Sequence, residues 1–391
     1  MPTLRRSAKR DVVQEILEAD ESSRAIEPVA TKLESIITSP EDGHIEALGV
    51  VNDAQGSNSL GKSKGKQVAK AAANAAAAVD APVARRSKLP AGVQFPLLSI
   101  ISLSISSLLY SFLNEWTGSE LATVGKSLDN WAEVGVLASW RITELALGWW
   151  GNFDSLDLAG LNLLAHGPTM YLLSTFYGIS APTAIAAVAI EMISTFVPFQ
   201  LLRPLSGFHA AGAKGVANRE IVTDVPIAVY TTLLSTIIYS ITIFTAMHLT
   251  VPQALVLHFQ GIPSVEPAYK AEYVGILPVM LAFGFAARSF IFTPFAATGP
   301  TVEDRKLDEF DPVTATLGET LLWNLWGYTT RAKVIIVRTL VAIVVTGVNT
   351  YLQTYITVPG VESAGAASWA STWAVAVSLV GVALALVGGE E

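Results

Sequence analysis

The chain has 391 residues, 51% of them hydrophobic and 15% charged, against about 25% charged in an ordinary soluble domain. Its net charge of −8 is spread over short acidic clusters, which speaks against a nucleic-acid partner. There is no cysteine, so disulfides, thiolate metal sites, palmitoylation and cysteine nucleophiles are all excluded.

Arg5, Arg6, Lys9 and Arg10 open the chain, but Asp11, Glu15 and Glu18 follow where a signal peptide would be apolar. The same acids disfavour a mitochondrial presequence. Residues 1–90 read as a cytoplasmic, mostly disordered tail. It carries two short amphipathic stretches, one with Val12, Val13, Ile16 and Leu17, the other with Val29, Leu33, Ile36 and Ile37 after Pro28. Either could dock on a partner or a membrane surface, though isolated helices this short are barely stable. From Ala54 the composition is that of a Gly/Ser/Lys/Ala linker. Within it, Gly56 to Ser63 matches the phosphate-loop pattern G-x-x-x-x-G-K-[ST]. A nucleotide site needs a parallel sheet to carry that loop, which so short a tail does not supply, so the string reads as linker. Arg85, Arg86 and Lys88 precede the first apolar run, where they set orientation and offer a contact to anionic lipid.

From Val225 to Val265 there is no Asp, Glu, Lys or Arg, and equally bare segments follow Arg338 and Glu362. Each is long enough for the roughly 20 apolar residues that cross a bilayer as helix. Spans fall at about 93–113, 158–178, 181–202, 225–249, 273–297, 334–357 and 369–388. An eighth, 134–150, is ambiguous because it contains Arg141 and Glu144, which share a helix face and can pair. Counting it places Arg203, Lys214, Arg219, Arg305, Lys306, Arg331 and Lys333 on the same side as the tail, as the positive-inside rule requires. Residues 91–389 are therefore expected to form an all-α polytopic transmembrane helix bundle of about eight spans, with a seven-span form, tail outside, as the alternative. Trp116, Trp131, Trp149, Trp150, Trp323, Trp326 and Trp369 fall near span ends, as interfacial indoles do. Leu317, Leu321, Leu325 and Tyr328 mark one face of an interfacial helix near 313–330. The acidic run Glu303 to Asp311 lacks calcium-loop spacing and reads as solvated loop.

Charges inside such spans need partners or a wet cavity. Glu191 and Arg288 fall at mid-depth with opposite charge, so they form either a structural ion pair or a polar pathway for cargo, with Arg141 and Glu144 as further members. Pro182, Pro198 and Pro204 recur, displaced by 96 positions, as Pro278, Pro294 and Pro300. Paired broken helices surround the substrate in many transporters, which makes Pro182, Pro198, Pro278 and Pro294 candidate gating positions. The histidines show no metal-ligand spacing, no nucleophile–base–acid set is visible, and no cofactor is expected. Small-residue faces such as Ser99, Ser102 and Ser106, or Ala374, Ser378, Gly381 and Ala385, suit close helix contact within the chain or in a homo-oligomer. Two functions follow: a channel or transporter for a small solute or ion, or a non-catalytic membrane organiser recruiting partners through its tail. The bare outer loops and the lack of glycosylation sequons favour an internal membrane such as the endoplasmic reticulum over the plasma membrane.

Overall fold

Short, capped links between long apolar runs force neighbouring helices of this chain to lie antiparallel. Asp154 closes a capping box with Asp157 four residues after one helix has ended. Gly178 and Gly360 adopt positive φ, 76° and 71°, in two further tight links. The computed structural model describes residues 89–388 apart from 211, 212, 214, 302, 303, 305, 306, 308, 309 and 312–314. The two tail amphipathic stretches, the phosphate-loop string, and Arg85, Arg86 and Lys88 lie outside the described residues, as does most of the acidic run at 303–311.

The long helices are α1 (Ala91–Trp116), α2 (Trp131–Trp150), α3 (Ser155–Phe176), α4 (Ala181–Leu202) and α5 (Val225–Leu249). A short α6 (Val251–His258) leads to α7 (Tyr273–Ala297), which is interrupted by a π-helical turn at Arg288–Phe292. Then come α8 (Leu317–Trp326), α9 (Thr330–Thr357) and α10 (Ser363–Val387). Among the described residues the structure is all helical except for an isolated bridge between Phe259 and Val361.

Six of these helices, α1, α4, α5, α7, α9 and α10, are long and apolar enough to cross a membrane. That architecture is the one of a multi-pass membrane protein in contact with lipid. Helices α2 and α3 run between the same two ends of the bundle but are less apolar. For α3 the reason is its position: 15 of its 22 residues are buried, and it packs on α4, α9 and α7, so protein rather than lipid surrounds it.

Loop contacts define the two ends. At one, Lys126 N donates to Thr357 O (2.8 Å), Gln260 N to Gly360 O (2.8 Å) and Ser180 N to Glu120 Oε1 (2.9 Å). Glu120 is held below the usual carboxylate range by hydrogen bonds from Thr183 and Ser180. The other end carries Arg203, Arg219, Arg331 and Lys333, and is called the arginine end below. There Ser206 N meets Asp154 Oδ2 (2.9 Å) and Asn218 Nδ2 meets Thr298 O (3.3 Å).

Helices in lipid associate by close packing rather than by the hydrophobic effect, and small residues permit it. On α5, Thr231, Ser235, Thr236 and Ser240 are buried, with hydroxyls bonded back to their own helix. Gly284 of α7 lies against that face. A side-chain carbon at Gly284 would sit 2.8 Å from Thr232 O and Thr236 N. Likewise a carbon at Gly160 of α3 would lie 3.2 Å from Ala286 O of α7.

The indoles divide. Trp116, Trp131 and Trp150 are exposed at helix ends, as an interfacial belt requires. Trp369 is instead buried and donates to Pro168 O (3.1 Å), because α10 begins at Ser363 and places it more than a turn inside the bundle. The amphipathic segment expected over 313–330 is the shorter α8, capped by Thr316 and Glu319, with Leu317, Leu321 and Leu325 all exposed.

Replacing Gly284 with Leu should wedge α5 from α7 and lower stability by about 1–3 kcal/mol, the usual cost of overpacking. Thermal unfolding in detergent should register the loss, while the same change at Gly275, which has open space beside it, should leave the midpoint nearly unmoved.

Candidate functional site

Three groups of polar residues lie between the ends of the bundle. The first is at mid-depth around Arg141 of α2. Its guanidinium lies 3.4 Å from Glu144 and 3.2 Å from Glu191 of α4, and it donates to Ser194 Oγ (2.8 Å) and Thr195 Oγ1 (2.9 Å). Tyr110 of α1 donates to Glu191 (2.9 Å). Trp140 Nε1 is shared between Glu144 (3.0 Å) and Asn349 of α9 (3.1 Å), and Asn349 donates to Ala165 O (2.9 Å). His166 Nε2 stands 3.7 Å from Glu144. Five helices thus meet on two carboxylates, one guanidinium and one imidazole. A space of about 10 Å³ lies beside Arg141 and Glu144, room for at most one water.

The second group is at the arginine end. Arg338 of α9 makes a bidentate pair with Asp157 of α3 (2.7 and 3.0 Å) and also donates to Phe290 O (2.8 Å). That carbonyl is free because Pro294, one turn later, has no N–H to give it. The rings of Phe153, Phe290 and Phe208 lie 5.0, 5.1 and 5.6 Å from the guanidinium. Beside it, Asp154 accepts from Asp157 N (2.8 Å), Ser206 N (2.9 Å) and His209 Nδ1 (2.7 Å). Burial pushes the Asp154 carboxyl up, but the hydrogen bond and charge of His209 and the two backbone N–H groups outweigh this and hold it at about 2. Asp154, Asp157 and His209 have ligand atoms within 4.8 Å of one another, a spacing a metal could use. Arg338 already fills the cation position on Asp157, and backbone and imidazole donors already saturate Asp154, so the geometry is that of a closed structural lock.

The third group lines a cleft. Helices α4 and α7 both pack on α3 and leave two cavities between them. The cavity towards the arginine end is about 450 Å³ and includes His209, Arg219, Arg288, Ser289 and Thr293 in its wall. The other is about 500 Å³ and is walled by Met170, Ile185, Val188, Pro278, Val279 and Phe283, among others. Leu163 and Met192 line both, so the two are continuous in wall. Arg288 opens the π turn, and its Nε is buried without a hydrogen-bond partner. Among the described residues it has no ion pair.

Arg141, Glu144 and Glu191 are therefore brought together, while Arg288 is not with them: Glu191 is paired by Arg141 in place of Arg288. The four candidate gating prolines also differ from one another. Pro182 sits in the first turn of α4, where its missing N–H costs nothing, and Pro198 lies inside α4, which stays helical throughout. Pro278 lines the apolar cavity, and Pro294 follows the π turn. The interruption is thus confined to α7. Tyr110, Trp140, His166, Asn349, Asp157 and Arg338 were not singled out as site residues from sequence. Ser194 and Thr195, three and four positions after Glu191, are the one local signal that a cation would dock there. Compared with known protein families, curated proteins and solved structures, the chain matches none.

Two outcomes follow. Replacing Arg141 with Met leaves two buried acids without their cation and should cost about 3–5 kcal/mol in detergent unfolding. Adding Glu191→Gln to that variant should restore part of the loss, whereas independent effects would simply sum. For Asp154, a folded-state pKa below the unfolded one means its stabilisation is complete above about pH 4 and vanishes as pH falls through 2. Asp154→Asn should therefore be less stable than the parent by about 1–2 kcal/mol at pH 7, with the gap closing under acid.

Proposed function

We propose that this multi-pass protein is a membrane carrier for a small anionic cargo, held in the cleft between α4 and α7. The observation that carries this reading is the cleft itself: two cavities of about 450 and 500 Å³ share Leu163 and Met192, with an unpaired Arg288 at one end. No carboxylate is among the described residues that line either cavity, so the charge is available to a ligand.

In this reading all eight long helices span the bilayer, with the arginine end in the cytoplasm of an internal membrane such as the endoplasmic reticulum. The Arg141–Glu144–Glu191 hub is the fixed part. Its tight packing argues against an aqueous channel at that place, since a path for ions needs more than one water's space. The moving part is α7, whose π turn and Pro278 and Pro294 weaken its backbone ladder, whereas continuous α4 with Pro182 and Pro198 is the wall it moves against. The alternative, a membrane organiser, draws on the exposed Leu317, Leu321 and Leu325 stripe of α8, which suits either the lipid interface or a partner.

The absence of cysteine makes the test direct. A single Ser289→Cys, in the cleft beside Arg288, is reconstituted in vesicles and treated with a charged, membrane-impermeant thiol reagent from either side. A carrier exposes that position to both sides in turn, so both additions should label it, and buried Ala376→Cys should label from neither. Labelling of Ser289→Cys from the arginine side alone would exclude the carrier and favour the organiser.

A further inference from the structure

The carrier reading leaves its cargo unnamed, and the walls of the cleft narrow the chemistry. Ile185, Phe285 and Val279, which all line it, are exposed on the outer surface of the bundle, with Ile185 at 70%. The cleft therefore opens sideways, towards hydrocarbon, rather than only at its ends. A water-soluble anion would have to leave water and enter past those side chains; a lipid is already there.

The polar atoms are gathered at one end. Arg288 and Ser289 open the π turn, Thr293 follows it, and His209 comes from the loop after α4. Single π turns of this kind are frequent at functional sites. An arginine at membrane depth without an acidic partner costs roughly 2.5–3.5 kcal/mol on insertion scales, and a phosphate offers the forked acceptor its guanidinium lacks. Beyond Leu163 and Met192 the wall is almost wholly apolar. Pro278, at the far end, is about 15 Å along α7 from Arg288 by helical rise, enough for much of an acyl chain.

We propose that the cleft is a binding site for an anionic phospholipid of the arginine-side leaflet, with its phosphate on Arg288 and one acyl chain laid between α4 and α7 as far as Pro278. The proposal rests on the cleft used by the carrier reading and names the cargo class for it. Arg288 is then a ligand-binding residue. Ser289 and His209 supply further hydrogen bonds to the headgroup, and Met170, Val188 and Phe283 contact the chain.

The experiment places the full chain in phosphatidylcholine vesicles containing a phosphatidate whose acyl chain bears a photoactivatable diazirine. Labelling should saturate and map to the stretch of α4 and α7 around Met192, Val279 and Phe283. Unlabelled phosphatidate should compete, whereas diacylglycerol with the same chains should not. Arg288→Gln should reduce labelling about tenfold or more, as loss of a charge-assisted contact does. Ala189→Trp, which fills the apolar cavity and leaves Arg288 in place, should reduce it as well and serves if Arg288→Gln fails to fold. Equal competition by diacylglycerol would show ordinary boundary lipid and overturn the proposal. So would displacement by inorganic phosphate, which would mark a site for a soluble anion, or undiminished labelling of folded Arg288→Gln or Ala189→Trp. Specific labelling combined with one-sided reactivity of Ser289→Cys keeps the lipid site and removes the carrier. Two-sided reactivity without specific labelling keeps the carrier and removes the lipid.

Discussion

Hydrocarbon offers an ionised side chain no solvent, so each charge between the two ends of this bundle must be matched by protein or reach something at its edge. Arg141, Arg288 and Arg338, which lie well inside their helices, meet that constraint in different ways. Arg141 joins two carboxylates and two hydroxyls from neighbouring helices. Arg338 is clamped by Asp157, a proline-freed carbonyl and three aromatic rings. Arg288 has neither kind of partner among the described residues and faces a cavity. This difference separates two structural locks from one candidate ligand site.

The locks also explain the helix order. Helix α3 is buried on nearly all sides because it supplies partners to both: Asp157 to α9 at the arginine end, and His166 and the Ala165 carbonyl to the central hub. A helix so placed need not be as apolar as those facing lipid, which is why α3 carries Asp157, Asn162 and His166. The proline in α7 works in the same direction. Pro294 removes one backbone hydrogen bond, and the carbonyl it leaves free is used by Arg338 to tie α7 to α9. That tie falls within the π turn, which leaves α7 less regular, and the cleft runs from there towards Pro278.

Much of the architecture was legible in the residues. The expected spans at 181–202, 225–249 and 273–297 coincide with α4, α5 and α7, because prolines or charged loops bound them sharply. Hydropathy alone starts α10 too late: Ser363, Gly365 and their alanine neighbours have little of it, yet they form the first turns and bury Trp369. Partner identity was the harder problem. Opposite charges at similar depth do not reveal which helices touch, so mid-depth alone suggests Glu191 with Arg288 while the true partner, Arg141, sits in a segment ambiguous as a span. Asp154 and His209 are 55 positions apart, and Asp157 and Arg338 are 181 apart, so no local spacing announces either pair. The cleft was less legible still, since it exists only because α4 and α7 both lean on α3.

The most direct measurement is an experimental density map of the protein in a lipid bilayer disc, at a resolution that resolves side chains. Arg141 should appear enclosed between Glu144 and Glu191 without a water column, with elongated density running from the Arg288 guanidinium along α4 and α7. Arg288 bonded to a carboxylate of the protein, or a continuous file of water passing Arg141, would contradict this arrangement.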